Sequence, residues 1–188
     1  VANSLGRPLA EVYSSFGPPV AAASIAQVHK CEIVGENGPK SVAVEVLRPD
    51  VERRFRLDLD AFTYAAGRAE TLSAEARRLR LIETVATLRR SVALEMDLRL
   101  EAAALSEMAE NTKSDPDFRV PAIDWDRTAK DVLTMEWIDG TPLNDIATLK
   151  AKGFDLRHLG AAVIQTFLRH ALRDGFFHAD RKSTRLNS

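Results

Sequence analysis

Residues 20–50, VAAASIAQVHKCEIVGENGPKSVAVEVLRPD, decide the fold. The run opens on small side chains at Ala21, Ala22, Ala23 and Ser24 and continues into two β-branched, alternating segments, 24–34 and 41–47. Between them Gly35, Asn37, Gly38 and Pro39 carry turn chemistry. The reading is a turn, a strand, a loop and a second strand, with one carboxylate, Glu45, inside the second apolar run. A turn this poor in side chains lets backbone N–H groups approach a ligand, as glycine-rich phosphate loops do, although alanine restricts φ where glycine would not.

Upstream, residues 5–16 read as the end of a helix, closed by Gly17, Pro18 and Pro19, which set up the following turn. Downstream, Phe55, Leu59, Phe62 and Ala66 mark one face of a helix over 51–68. A longer helix follows Gly67, with Leu81, Val85, Leu88 and Val92 as its stripe and Arg77, Arg78, Arg80, Glu83, Arg89 and Arg90 on solvated faces. Carried through 94–101, seven residues turn that helix by about 700°, which puts Glu101 on the stripe of Leu94 and Leu98. A carboxylate pointing there needs a cation or a set of donors, a lysine on a nearby strand being the natural partner; snorkelling to the surface is the alternative.

A polar break over 111–121 leads to a short strand at 120–125 and an apolar strand at 131–138, which ends in a turn at 139–142. A helix over 155–173 is expected to bury Gly160, Val163, Ile164, Phe167, Leu168 and Ala171, with Gly175 as its cap. Directly after it stand Phe176, Phe177, His178, Ala179 and Asp180. His178 and His29 read as structural hydrogen-bonders before they read as ligands.

Composition bounds the partners. With 188 residues, 45% hydrophobic and 28% charged, the chain has the makeup of a globular protein with one ordinary core. Its 26 Lys plus Arg against 27 Asp plus Glu provide no long-range positive field, so nucleic acid is not the expected partner. The single cysteine, Cys31, excludes an internal disulfide and fits a reducing compartment. No apolar run approaches the ~20 residues that span a bilayer. Val1 opens the sequence without a Met, and the expectation is a fragment.

The order of these parts, a strand pair with a small-residue turn, a helix with an inward carboxylate, two strands and a long helix ending in His-Ala-Asp, is that of a protein-kinase-like fold. The words AAASIAQVH, VAV-x-V-x-RP, a Glu-x-Asp segment with a glutamate four residues on, VLTMEWIDGTPL and GFFHAD resemble the UbiB family of atypical kinase-like proteins, also called aarF-domain-containing kinases. The resemblance implies an α+β fold: an N-terminal lobe over 1–138, with a small antiparallel sheet and long helices, and the start of a helical C-terminal lobe over 139–180. It also implies that Ala21, Ala22, Ala23 and Ser24 cover nucleotide phosphates, that Glu101 pairs with a third-strand lysine, and that Glu95 and Asp97 form a regulatory Glu-x-Asp pair. Met135, Glu136 and Trp137 fall in the hinge that meets adenine, and Asp180 matches the catalytic-loop aspartate. ATP and magnesium are the implied cofactors, and proteins or lipids of quinone biosynthesis the implied partners.

Two departures qualify that implication. The family strand reads VAVKV, whereas Glu45 stands at the lysine position here, so that Glu45 and Glu101 would face each other as like charges and one would take up a proton. Either the lysine is lost in an atypical member or a single base has changed. The family continues HADPHPGN, with asparagine as a magnesium ligand, whereas residues 181–188 are a basic, aperiodic run with Arg185 at the asparagine position, which reads as foreign or mis-assembled sequence. The expected function is therefore that of a UbiB-type kinase or ATPase fragment supporting ubiquinone or related isoprenoid quinone synthesis, catalytically impaired as written. The expected location is the cytoplasmic side of a bacterial inner membrane or an organelle, with membrane attachment through regions outside this chain. A pseudokinase-like scaffold or lipid-handling partner is the alternative, and a small-molecule kinase of the aminoglycoside or choline type the third reading.

Overall fold

The computed structural model describes residues 1–36, 38–115, 118–174 and 185–186. Packing divides the chain into two units, one of residues 1–102 with 124–135 and one of residues 103–123 with 136–188.

The first unit opens with two single-turn helices, α1 (Ala2–Leu5) and α2 (Leu9–Val12), which Gly6, in the left-handed region, and Pro8 keep apart. Three strands follow: β1 (Ser15–Ala22), β2 (Ala26–Gly35) and β3 (Gly38–Leu47). Antiparallel pairing joins β1 to β2 and β2 to β3, the second ladder running from Ala26↔Leu47 to Gly35↔Gly38. The expected turn at Gly17, Pro18 and Pro19 lies inside β1; β3 starts three residues earlier than the sequence suggested, while β2 covers 26–35 where 24–34 was expected. An edge strand accommodates prolines because a missing N–H there costs no ladder bond, and the β1 register shifts on both sides of Pro19. Gly17 is required by close approach: a Cβ at this position would sit 2.5 Å from the Lys30 carbonyl oxygen.

Helix α3 (Val51–Leu72) runs straight through Gly67, which was expected to end it. The stop is Ser73, whose hydroxyl accepts the Ala76 N–H and caps α4 (Ala74–Leu79). Arg80, at φ 52°, separates α4 from α5 (Leu81–Glu95), and Met96 and Asp97 separate α5 from α6 (Leu98–Asn111). Strand β4 (Val132–Glu136) completes a four-stranded sheet in the order β1-β2-β3-β4. In place of the expected strand at 120–125, Asp124 donates its N–H to Thr134 O and a 3₁₀ turn follows at Trp125–Arg127.

Alternation along β2 and β3 builds the core. Cys31, Ile33, Val42 and Val44 point inward with Val12, Tyr13 and Val132, and Phe16 and Val46 pack against them. Burial pushes the Cys31 thiol up to about 11 and the Tyr13 phenol up to about 12. The phenol is satisfied by Thr134 Oγ1 at 2.7 Å, and because that hydroxyl gives its own proton to Arg127 O at 2.6 Å, Tyr13 is the donor.

In the second unit β5 (Thr141–Pro142) precedes α7 (Ile146–Ala151), capped by Asp145, and α8 (Leu156–Arg169), capped by Asp155. A π-turn over His170–Asp174 ends α8, and β6 (Arg185–Leu186) pairs with β5. The buried face expected on this helix is not formed: Gly160 is exposed, and Ile164 and Leu168 are 60% and 48% exposed. Periodicity reports a face shaped for burial and does not say what covers it. Around the π-turn, buried Asp115 accepts from His170 Nε2 at 3.3 Å and meets Arg169 at 3.5 Å, while Phe118 packs edge-on to the His170 ring. No helix of the described residues is long and apolar enough to cross a membrane.

Two substitutions test this core. Gly17→Ala is expected to destabilise the chain by about 1–3 kcal/mol, because the backbone oxygen it meets cannot rotate away. Tyr13→Phe should cost about 1 kcal/mol by removing a buried hydrogen bond. Urea unfolding midpoints at neutral pH measure both.

Candidate functional site

Antiparallel ladders place directly opposed residues on one face of the sheet. Val42 and Val44 face the core, so Glu45 lies on the opposite face, where it pairs across β2 with Val28, and Val28 pairs with Ala21 of β1. Ala21, Val28 and Glu45 thus form a line across three strands, its ends about 10 Å apart at the usual strand spacing. Glu45 is half-buried there and is engaged by a neighbouring group.

Ala21 and Ala22 belong to the end of β1, and the turn itself is Ala23, Ser24 and Ile25. This corrects the expectation that Ser24 starts the next strand. The Ala23 N–H donates to Ala26 O at 2.9 Å and closes the turn. Positive φ occurs outside glycine only at Asp50 and Arg80 among the described residues, so the alanine-rich turn uses no left-handed conformation. Arg48 binds the same turn from the end of β3. Its Nε and Nη2 donate to Ala23 O at 3.3 and 3.1 Å, and its N–H donates to Ile25 O at 2.8 Å. Sequence reasoning did not assign Arg48 a role, although the Arg-Pro pair after the strand was its signal.

The Glu-x-Asp pair sits at a helix break. Glu95 ends α5, and beside Ser24, Ile25, Phe55, Val92 and Met96 it lines a pocket of about 180 Å³. Asp97 caps α6: its carboxylate accepts the Arg99 N–H at 3.2 Å and the Arg99 guanidinium at 2.8 and 2.6 Å. Hydrogen bonding from Arg99 holds the Asp97 carboxyl below the usual carboxylate range. A polar side chain that can cap the next helix competes with continuation of the last one, so the expected continuous helix is two. Glu101 therefore lies in the first turn of α6, half-buried, and shares no stripe with Leu94, which is 61% exposed.

His29 is structural: its Nδ1 bonds Gly17 O at 2.9 Å and its ring packs on Phe16. In the second unit the Glu136 N–H donates to Ala122 O, its carboxylate pairs with Arg119, and Trp137 Nε1 donates to Asp139 at 2.7 Å. Asp180 and His178 lie outside the described residues. Asp115 and His170 went unnoticed, since an aspartate in a polar loop and a histidine on a helix carry no distinguishing pattern.

A small antiparallel sheet with a side-chain-poor turn over one end of its third strand, followed by helices bearing acidic residues, defines a protein-kinase-like class. Within that class the chain belongs to the family of the ABC1 atypical kinase-like domain, whose model matches residues 1–186. It is 40% identical over 181 residues to a probable protein kinase UbiB of Marinobacter nauticus, covering 96% of this chain and 32% of the relative. It is 38% identical over 183 residues to the protein of the same description from Xanthomonas euvesicatoria, covering 96% of this chain and 33% of that one. Among solved structures, the complex of Rv3197 with erythromycin from Mycobacterium tuberculosis matches with a TM-score of 0.63 at 32% identity, over 78% of this chain and 36% of that one. The chain spans about a third of the length of the curated relatives it matches.

Asp97→Asn gives a pH-dependent test. The carboxylate's folded-state pKa is depressed, so its contribution is present above the ordinary aspartate range and is lost as pH falls through the folded value. Asparagine keeps the cap and loses the ion pair with Arg99, so urea midpoints should show the variant weaker at pH 7 by about 0.2–1 kcal/mol, with the gap closing below about pH 4.

Proposed function

We propose that this chain is the nucleotide-binding part of a UbiB-type atypical kinase or ATPase, and that as written it binds ATP weakly and does not turn it over. The observation that carries the reading is the line Ala21, Val28 and Glu45, which runs from the end of β1, two residues before the alanine-rich turn, to the family's lysine position. In this reading backbone groups of residues 21–24 cover the phosphates and backbone groups of Glu136 and Trp137 meet adenine. Glu101 is the partner that a lysine at position 45 would have, Glu95 and Asp97 are the regulatory pair, and Asp180 is the catalytic-loop aspartate.

The donor set fits ATP at the turn and does not fit it at β3. A carboxylate at position 45 repels the phosphate oxygens that an ammonium would attract. Magnesium fits poorly as well, since Arg185 stands where the family has an asparagine ligand. For the whole protein we infer a role in ubiquinone or related quinone synthesis beside a membrane, with quinone-synthesis proteins or lipid as partners. Location on the cytoplasmic side of a bacterial inner membrane or in an organelle belongs to that inference. Glu45 also favours a second reading, a pseudokinase-like scaffold whose site is filled without catalysis.

The test is ATP affinity of the full chain, with magnesium, before and after Glu45→Lys. At least a tenfold tightening, about 1.4 kcal/mol, is expected if position 45 meets phosphate. Unchanged affinity would remove position 45 from the site, and turnover by the unsubstituted chain at the rate of an intact relative would contradict the impairment.

A further inference from the structure

Two of the three residues in the β1–β2 turn present their carbonyl oxygens to Arg48. Its guanidinium holds Ala23 O through two nitrogens, at 3.3 and 3.1 Å, and its N–H holds Ile25 O at 2.8 Å. Among the described residues, the N–H groups of Ser24 and Ile25 donate to no protein group. The turn is thus sorted by polarity: the Ala23 and Ile25 carbonyls are held by Arg48 and the Ala23 amide by Ala26 O, and the Ser24 and Ile25 amides are left for an acceptor from outside. A turn with its amides available suits an anion, and one with its carbonyls turned the same way would repel it.

Arg48 is itself held. It follows Leu47, the last residue of β3, and Pro49 comes next; the Val51 N–H returns to Arg48 O at 3.3 Å as α3 begins. The residue is half-buried, so its hydrogen bonds to the turn are less exposed to competition from water than those of a fully exposed arginine. Ala23, Ser24 and Ile25 all keep out of the left-handed region, and the arginine's hydrogen bonds to the Ala23 and Ile25 carbonyls hold the turn in this conformation.

We propose that Arg48 is a positioning residue for nucleotide binding, which sets the alanine-rich turn with its amides toward the phosphates. The inference rests on the nucleotide reading above. A guanidinium acts here through its fork, two nitrogens on one oxygen, which a lysine of equal charge cannot reproduce.

The test uses the full chain carrying Glu45→Lys, with Arg48→Ala and Arg48→Lys added separately. Amide exchange at positions 23 and 48 and the affinity for ATP with magnesium are measured. Arg48→Ala should speed exchange at both amides and weaken ATP binding, each about tenfold, while Arg48→Lys should recover only part of either. The affinity loss should persist at high salt, because it comes from turn geometry and not from a charge on the phosphate. Unchanged exchange, or faster exchange at unchanged affinity, would overturn the proposal. So would full recovery by Arg48→Lys together with a loss that vanishes at high salt, which would make Arg48 a direct phosphate contact. If neither the unsubstituted chain nor the Glu45→Lys chain binds ATP, the nucleotide reading fails and this proposal with it; a loss confined to the proposal leaves ATP binding to the Glu45→Lys chain intact.

Discussion

The ladder between β2 and β3 is the constraint on which the first unit depends. A slip of one residue would turn Val42 and Val44 to the outer face and bring Glu45 into the core, so burial of the two valines pins the register. Fixing the valines inside commits position 45 to the other face, in line with Ala21 at the end of β1. Core and candidate site are therefore two sides of one pairing, and a substitution that leaves the alternation intact can change the chemistry at position 45 without disturbing the fold. In the function proposed above, Glu45 is such a case.

The junction after β3 extends this coupling. Arg48 stands where strand gives way to helix, and it reaches back to the turn that closes β1 and β2. Among the described residues the side chains of Ala23, Ser24 and Ile25 make no hydrogen bond, and the turn's conformation is held from a neighbouring element. After the C-terminal end of α5, Asp97 does a related task by ending one helix and starting the next, which places Glu95 beside the turn and Glu101 on a new axis. Buried polar groups are paired in both units: Tyr13 with Thr134 in the first, Asp115 with His170 in the second.

Much of the fold could be read from residue pattern. The hairpin over 20–50 and the helix after Asp50 follow from alternation and apolar spacing, and the motif words placed the chain in its family. Missed features depend on contacts between distant residues. Pro18 and Pro19 signal a turn by local rules, and only the presence of β2 on one side and none on the other shows that an edge strand accepts them. Gly67 looks like a stop, yet packing of Leu59 and Ala66 carries α3 past it. Glu101 was placed on the wrong axis because a helix count assumes no break, and Asp97 made one. Arg48 was quoted in a motif without a role, since its partner Ala23 lies 25 residues away.

The central claim is that position 45 and the alanine-rich turn belong to one phosphate site. A crystal structure of the Glu45→Lys chain with magnesium and a non-hydrolysable ATP analogue tests it most directly. The phosphates are expected between the side chain at position 45 and the N–H groups of Ser24 and Ile25. Nucleotide bound on another face, or phosphates directed away from both groups, would contradict it.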